Sequence, residues 1–209
     1  MIKEQPEKVI ENLQSIEYKN NAIDYYKARQ EYNEIKERRS PRKAALFIYL
    51  NRHGFNGLYR VNSKGEFNVP FGRYSNPKLP SREEILIFSE MLKHVRILNE
   101  DFEKAVAEAR EGDFIYFDPP YMPLSRTAYF TDYSSYGFTE NDQRRLAKVF
   151  RALSERGCMV MESNSDMPLI YELYSDFKIT KVKARRNINS IASRRGPINE
   201  LIITNYKVD

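Results

Sequence analysis

The 209-residue chain is poor in several residue types, and each shortage excludes something. It has one cysteine, Cys158, so neither an internal disulfide nor a cysteine-built zinc site can form. A reducing, cytoplasmic compartment is therefore expected. Tryptophan is absent and glycine occurs only 8 times, never as Gly-x-Gly, so no glycine-rich turn is available to cradle a nucleotide. No apolar run approaches the ~20 residues of a membrane-spanning helix. The first residues, MIKEQPEKVIENLQ, are charged and lack the apolar stretch of a secretory signal. Against these absences stand 15 tyrosines and 12 phenylalanines, with a net charge of +5. That charge permits a nucleic-acid partner without demanding one.

The pattern along the chain predicts two halves. Residues 5–38 read as helix, with Val9, Ile10, Leu13 and Ile16 at helical spacing and Tyr25, Tyr26, Tyr32 and Ile35 in a second helical stretch. Pro41 opens another helix through Ala44–Leu50. Residues 51–74 change character: arginines alternate with Phe and Tyr, and Ser63-Lys64-Gly65 marks a turn between two extended arms. Ser81 with Glu84 forms a capping-box pattern ahead of a helix. From there strand and helix alternate. HVRILNED is expected as a strand, DFEKAVAEAREG as a helix stopped by Gly112, and FIYF as a buried strand. Thr139 should cap a helix; CMVMESNS should be a strand, MPLIYELYSDF a short helix, and KITKVKAR and ELIITNYKV two last strands. This order predicts an α/β fold with a mainly parallel sheet. The expected division is a helical recognition region, 1–80, followed by a catalytic part, 81–209.

Ligands of such sheets bind outside the carboxyl ends of the strands, where Asp118-Pro119-Pro120-Tyr121 follows FIYF. Asp118 supplies an acceptor, and the prolines stiffen the turn and remove two donors. Tyr121 adds a flat ring. Together they make a slot for a planar group bearing an exocyclic NH2. Two acceptors on that amine localise its lone pair and stabilise the positive charge that develops when it attacks an electrophile. A double proline can also do no more than end a strand; the preceding strand and the aromatic, basic segment favour chemistry.

Four blocks in order carry a family resemblance: LNRHGFNGLYRVNSKGEFNVPFGRY, YFDPPYMPLSRTAYFTDY, GFTENDQRRLA and SNSD. They resemble the Dam-type (D12 class) DNA adenine-N6 methyltransferases over nearly the whole chain. The resemblance implies a Rossmann-like, S-adenosylmethionine-dependent methyltransferase sheet with a helical and hairpin DNA-recognition insertion. It implies that Asp118, Pro119, Pro120 and Tyr121 hold a flipped-out target adenine. Asp118 also approaches the donor's methionine part, and Asp101-Phe102 contact the donor's adenine, although a helix cap and a core Phe would explain that pair equally well. Tyr129, Phe130 and Tyr133 match a segment that closes over the flipped base. In the hairpin, about 51–74, Arg60 matches a guanine-reading arginine. Phe55 and Asn56 match a wedge beside the flipped base, Leu58 and Pro70 match thymine contacts, and Arg52 and Arg73 fall to phosphates. The family's usual target is GATC. Arg185, Arg186, Arg194 and Arg195 form a second basic region that can track backbone charge. No metal is implied.

The chain also departs from this pattern. The family's opening segment, with a Lys and a Phe-x-Gly-x-Gly turn that cradles the donor, has no counterpart here. The expectation is an incomplete sheet in which FIYF exposes an apolar edge, with weak donor binding unless a separately encoded N-terminal fragment completes it. Three readings follow: a site-specific adenine-N6 methyltransferase of a restriction-modification or a replication and repair system, an inactive DNA-binding remnant, or an enzyme acting on cytosine N4 or a protein amide. Asp118 argues against the last, whose members more often carry Ser or Asn before the prolines.

Overall fold

The computed structural model describes residues 1–121, 138–185 and 197–207. It divides into two compact units, Met1–Ile97 and Leu98–Asp209. No helix among the described residues is long and apolar enough to cross a membrane.

The first unit is helical. Its helices are α1 (Pro6–Gln14), α2 (Ala22–Glu34), α3 (Pro41–His53) and α4 (Arg82–Lys93). The helical reading of 5–38, with its second stretch at Tyr25–Ile35, corresponds to two helices, and Asn21 starts the second: its side chain accepts from the Asp24 N–H. Ser40 caps α3 in the same way, with Pro41 in its first turn. Ser81 and Glu84 form the reciprocal capping box expected from their spacing. Tyr25, Leu46, Tyr49, Leu50, Phe67 and Val69 build one core cluster; Ile10, Leu13, Ala45 and Ile85 build another. Ile85 ties α4 to α1 and α3 within this unit.

Residues 54–71 fold back as a loose hairpin rather than a continuous ladder. Its only bridges among the described residues pair Gly54 with Phe71 and Val61 with Phe67. The tip closes where the Gly65 N–H donates to the Asn62 carbonyl, with Gly65 at φ +76°. Phe67 and Val69 are buried and anchor one arm to α2 and α3. The base is tight: a Cβ on Gly54 would lie 2.6 Å from the Leu50 carbonyl oxygen, and one on Gly72 would lie 2.8 Å from the Gly54 oxygen.

The second unit contains α5 (Phe102–Ala105), β1 (Phe114–Phe117), α6 (Glu140–Glu155), β2 (Met159–Ser165), α7 (Pro168–Leu173), β3 (Lys178–Arg185) and β4 (Pro197–Thr204). The sheet order is β1-β2-β4-β3. β1 and β2 pair in parallel, and β4 is antiparallel to both β2 and β3, so β1, β2 and β3 share one direction and β4 opposes them. The sheet is therefore mixed rather than mainly parallel in its pairings, because β4 inserts against the common direction between β2 and β3. HVRILN forms no strand: residues 95–99 have no regular structure. Nor does the predicted long helix at 101–112 form. It stops after one turn at Ala105, and its remaining residues form turns up to Gly112, at φ +86°.

Side-chain alternation explains the two faces of the sheet. Ile115, Phe117, Val160, Leu201 and Ile203 face a core completed by Leu146, Ala147, Phe150 and Leu153 from α6, with Ile170 and Tyr174. Phe114, Tyr116 and Met159 point the other way and are exposed within this unit.

Candidate active site at the carboxyl end of the first strand

The DPPY turn leaves β1 at its carboxyl end, as expected for a ligand-binding loop. A cleft of about 580 Å³ opens there. Asp118, Pro119 and Pro120 line one part of it, Asp101 and Phe102 another, and Asp142, Arg145 and Leu146 from α6 a third. The two groups singled out by sequence thus share one cleft.

Asp118 lies on the same face as Tyr116 because they are two residues apart. The neighbouring strand supplies its partner. Ser163 Oγ donates to Asp118 Oδ1 at 2.9 Å and accepts from the Tyr116 hydroxyl at 3.0 Å. One carboxylate oxygen is thereby fixed. The Tyr121 hydroxyl donates to Glu200 Oε2 at 3.3 Å. Burial, reinforced by the Glu200 and Asp118 carboxylates, pushes its phenol above the ordinary range.

The other face of β2 carries polar groups into the core. Gln143, Glu162, Asn164 and Tyr174 are all fully buried. The Tyr174 hydroxyl donates to Glu162 Oε2 at 2.5 Å, and Asn164 Nδ2 donates to Glu162 Oε1 at 2.8 Å and to Gln143 Oε1 at 3.0 Å. Gln143 Nε2 then donates to the Pro120 carbonyl at 3.2 Å. Burial pushes the Glu162 carboxyl up to about 7, against the opposing pull of its Tyr174 and Asn164 hydrogen bonds.

Asp101 does not end a strand; it caps α5, its side chain accepting from the Glu103 N–H at 3.0 Å. Both its oxygens also accept from Arg145, at 2.9 and 2.8 Å. That guanidinium holds the Asp101 carboxyl below its usual range. It also lies 4.3 Å from the Phe102 ring centroid. Asp101 and Phe102 thus both line the cleft, with an arginine across both.

The hairpin residues lie in the first unit. Arg52, Phe55, Asn56, Arg60, Pro70 and Arg73 are exposed, and Leu58 is half-buried. Phe55 is 41% exposed, unusual for a large apolar ring, and sits on a single 3-10 turn (Phe55–Gly57). Asn56 and Arg73 take positive φ values, +52° and +57°. The Asn56 N–H is held by the Tyr74 hydroxyl at 2.9 Å. Arg60 is held side-on: Nε donates to Asn68 Oδ1 at 2.8 Å and one terminal nitrogen to the Asn68 carbonyl at 3.2 Å. Its end-on fork stays turned away from that contact. Tyr129, Phe130, Tyr133, Arg186, Arg194 and Arg195 lie outside the described residues, as does the side chain of Arg185.

Sequence reasoning passed over Ser163, Gln143 and Arg145. The first two carried a signal. Gln143 stands on the apolar stripe of Leu146, Ala147, Phe150 and Leu153, and Ser163 follows Glu162 inside a buried strand. Polar groups at such positions need partners. Among the described residues, every buried side-chain nitrogen and oxygen has one.

Comparison with known proteins places the chain in a family. The family model for D12 class N6 adenine-specific DNA methyltransferases matches residues 1–188. The chain is 47% identical to the type II methyltransferase M1.LlaDCHI of Lactococcus lactis subsp. cremoris, over 98% of this chain and 74% of that protein. It is 43% identical to the type II methyltransferase M.MjaIII of Methanocaldococcus jannaschii, over 99% of this chain and 75% of that protein. It is also 43% identical to the DNA adenine methylase of Escherichia coli K12, over 88% of this chain and 65% of that protein. This chain belongs to the D12 class of N6 adenine-specific DNA methyltransferases.

Proposed function

We propose that the chain transfers a methyl group from S-adenosylmethionine to N6 of an adenine flipped out of a GATC-like duplex site. The supporting observation is the single cleft that brings Asp118, Pro119 and Pro120 together with Asp101 and Phe102. Asp118 keeps one oxygen on Ser163 and offers the other to the amine, and the Pro119 carbonyl offers a second acceptor. Tyr121 stacks on the extruded base. S-adenosylmethionine, when bound, would supply the electrophilic methyl carbon, its S–CH3 bond breaking with the electron pair left on sulfur in S-adenosylhomocysteine. Phe102 and Asp101 suit its adenine, and Asp118 suits its amino group. The aligned acceptors stabilise the charge that grows on N6, and the amine's proton then leaves to solvent.

On this reading the exposed hairpin recognises the site. The end-on fork of Arg60 pairs with guanine O6 and N7, Phe55 and Asn56 fill the gap beside the flipped base, Leu58 and Pro70 meet thymine, and Arg52 and Arg73 hold phosphates. The 209 residues contain no Gly-x-Gly turn, so full activity is proposed to need a glycine-rich donor wall from other residues, in the same polypeptide or a separate one.

The test is Asp118→Ala, assayed by methyl incorporation into duplex DNA and by duplex binding. Methylation is expected to vanish while binding persists. Undiminished methylation would overturn the assignment. DNA binding without methylation by the unmutated chain, even with the glycine-rich segment of a relative added, would favour a remnant that only binds.

A further inference from the structure

A turn made of two consecutive prolines cannot hold itself by backbone donors. Pro119 and Pro120 have no N–H, so nothing within the dipeptide ties down its carbonyls. The direction of those carbonyls nevertheless decides whether an amine can be gripped. The side chain that reaches the turn is Gln143, at the start of α6, whose Nε2 donates to the Pro120 carbonyl. Its position is unusual, since it is fully buried at the head of an otherwise apolar stripe. Its amide is not free to rotate: Gln143 Oε1 accepts from Asn164, and Asn164 is fixed in turn by Glu162. Glu162 is anchored by Tyr174. The chain of bonds therefore runs from the centre of the core to the turn, and each amide has one orientation that satisfies its neighbours.

We propose that Gln143, oriented through Asn164 and Glu162, is a positioning residue for methyl transfer. It clamps the Pro120 carbonyl and so fixes the plane of the adjoining Pro119–Pro120 peptide, whose carbonyl is the amine's second acceptor. This rests on the reading of the DPPY turn as the amine-binding site. Ser163 holds Asp118 from one face of β2, and Gln143 holds the prolines from the other. The target amine meets two acceptors, each secured by a separate side chain.

The experiment compares Gln143→Leu, Gln143→Glu, Asn164→Ala and Asp118→Ala in the full-length protein, with the donor-binding segment present. Single-turnover methylation, duplex KM and melting temperature are read for each. Gln143→Leu is expected to lower the methylation rate by about 10- to 100-fold while the duplex KM stays within about twofold. Adding Asn164→Ala should lower it little further, because both act through one clamp. Gln143→Glu provides the readout that a packing role would not move. A carboxyl can donate to Pro120 only when protonated, so the rate of this variant relative to the unmutated protein should rise as pH falls. Glu162 is linked to that new carboxyl through Asn164, so the ratio is also read in a Glu162→Gln background, where its rise with falling pH should persist. A Gln143→Leu protein with unaltered rate, or a Gln143→Glu deficit independent of pH, overturns the proposal. If Asp118→Ala also methylates normally, the reading of the turn itself has failed; if it is inactive, only the clamp has.

Discussion

Ser163 of β2 and Asp118, the first residue beyond the neighbouring parallel strand β1, meet across one hydrogen bond of 2.9 Å. The serine is 4% exposed and its donor direction is set by the Tyr116 hydroxyl behind it. Removing it should leave the carboxylate in place but free to rotate. Ser163→Ala is expected to slow methylation by about 5- to 30-fold, corresponding to ~1–2 kcal/mol. Duplex binding should be unchanged, and Ser163→Thr should recover most of the rate. Steady-state kinetics with a single-site duplex checks this.

The buried Glu162 carboxyl gives stability a pH dependence of definite sign. Its folded value, about 7, lies above its ordinary 4.5. The folded state therefore binds the proton more tightly, and stability falls as pH rises between those values. The loss is complete above about pH 7 and amounts to ~3 kcal/mol. Glu162→Gln keeps an acceptor for Asn164 and a partner for Tyr174 without the charge. It is expected to flatten this part of the stability profile, measured by urea unfolding from pH 4.5 to 8.

Arg145 covers both Asp101 and the Phe102 ring. If these two receive the donor's adenine, the guanidinium competes with it. Arg145→Ala should then bind S-adenosylmethionine about 3- to 10-fold more tightly, by calorimetry at fixed ionic strength. Weaker binding would make the arginine part of the site instead.

Arg60 is braced by Asn68 before any DNA arrives. Arg60→Ala is expected to relax discrimination at one guanine by ~1–3 kcal/mol. A uniform loss over all sequences would reduce it to a phosphate contact.

The base of the hairpin tolerates no side chain. A Cβ on Gly54 meets the Leu50 carbonyl at 2.6 Å and the Tyr25 hydroxyl at 2.9 Å. Gly54→Ala should destabilise the first unit by ~1–3 kcal/mol, seen as a lower urea midpoint.

Much of this was legible in the sequence because local chemistry decided it. Ser81 with Glu84 is a capping box in both sequence and structure, and Thr139 caps its helix as expected, with Asp142 completing the reciprocal pair. FIYF and CMVMESNS are strands as expected, but FIYF is not the buried strand expected: Phe117 is buried, while Phe114 and Tyr116 alternate onto the other face and are exposed within this unit. The errors arose where local pattern was weak. HVRILN has β-branched residues but no strand partner among the described residues, and an unpaired segment does not become a strand by composition. The Gln143 clamp was missed for a different reason. Its parts are scattered over positions 120, 143, 162, 164 and 174, and only packing brings them together.

The single thiol has a practical consequence. Cys158 is 2% exposed at the entrance to β2, its Sγ directed at the Arg110 carbonyl. A maleimide can reach it only when the sheet loosens there. Because the sequence holds no other cysteine to react, the labelling rate is an intrinsic clock for how often the second unit breathes, and ligands that tighten that unit should slow it.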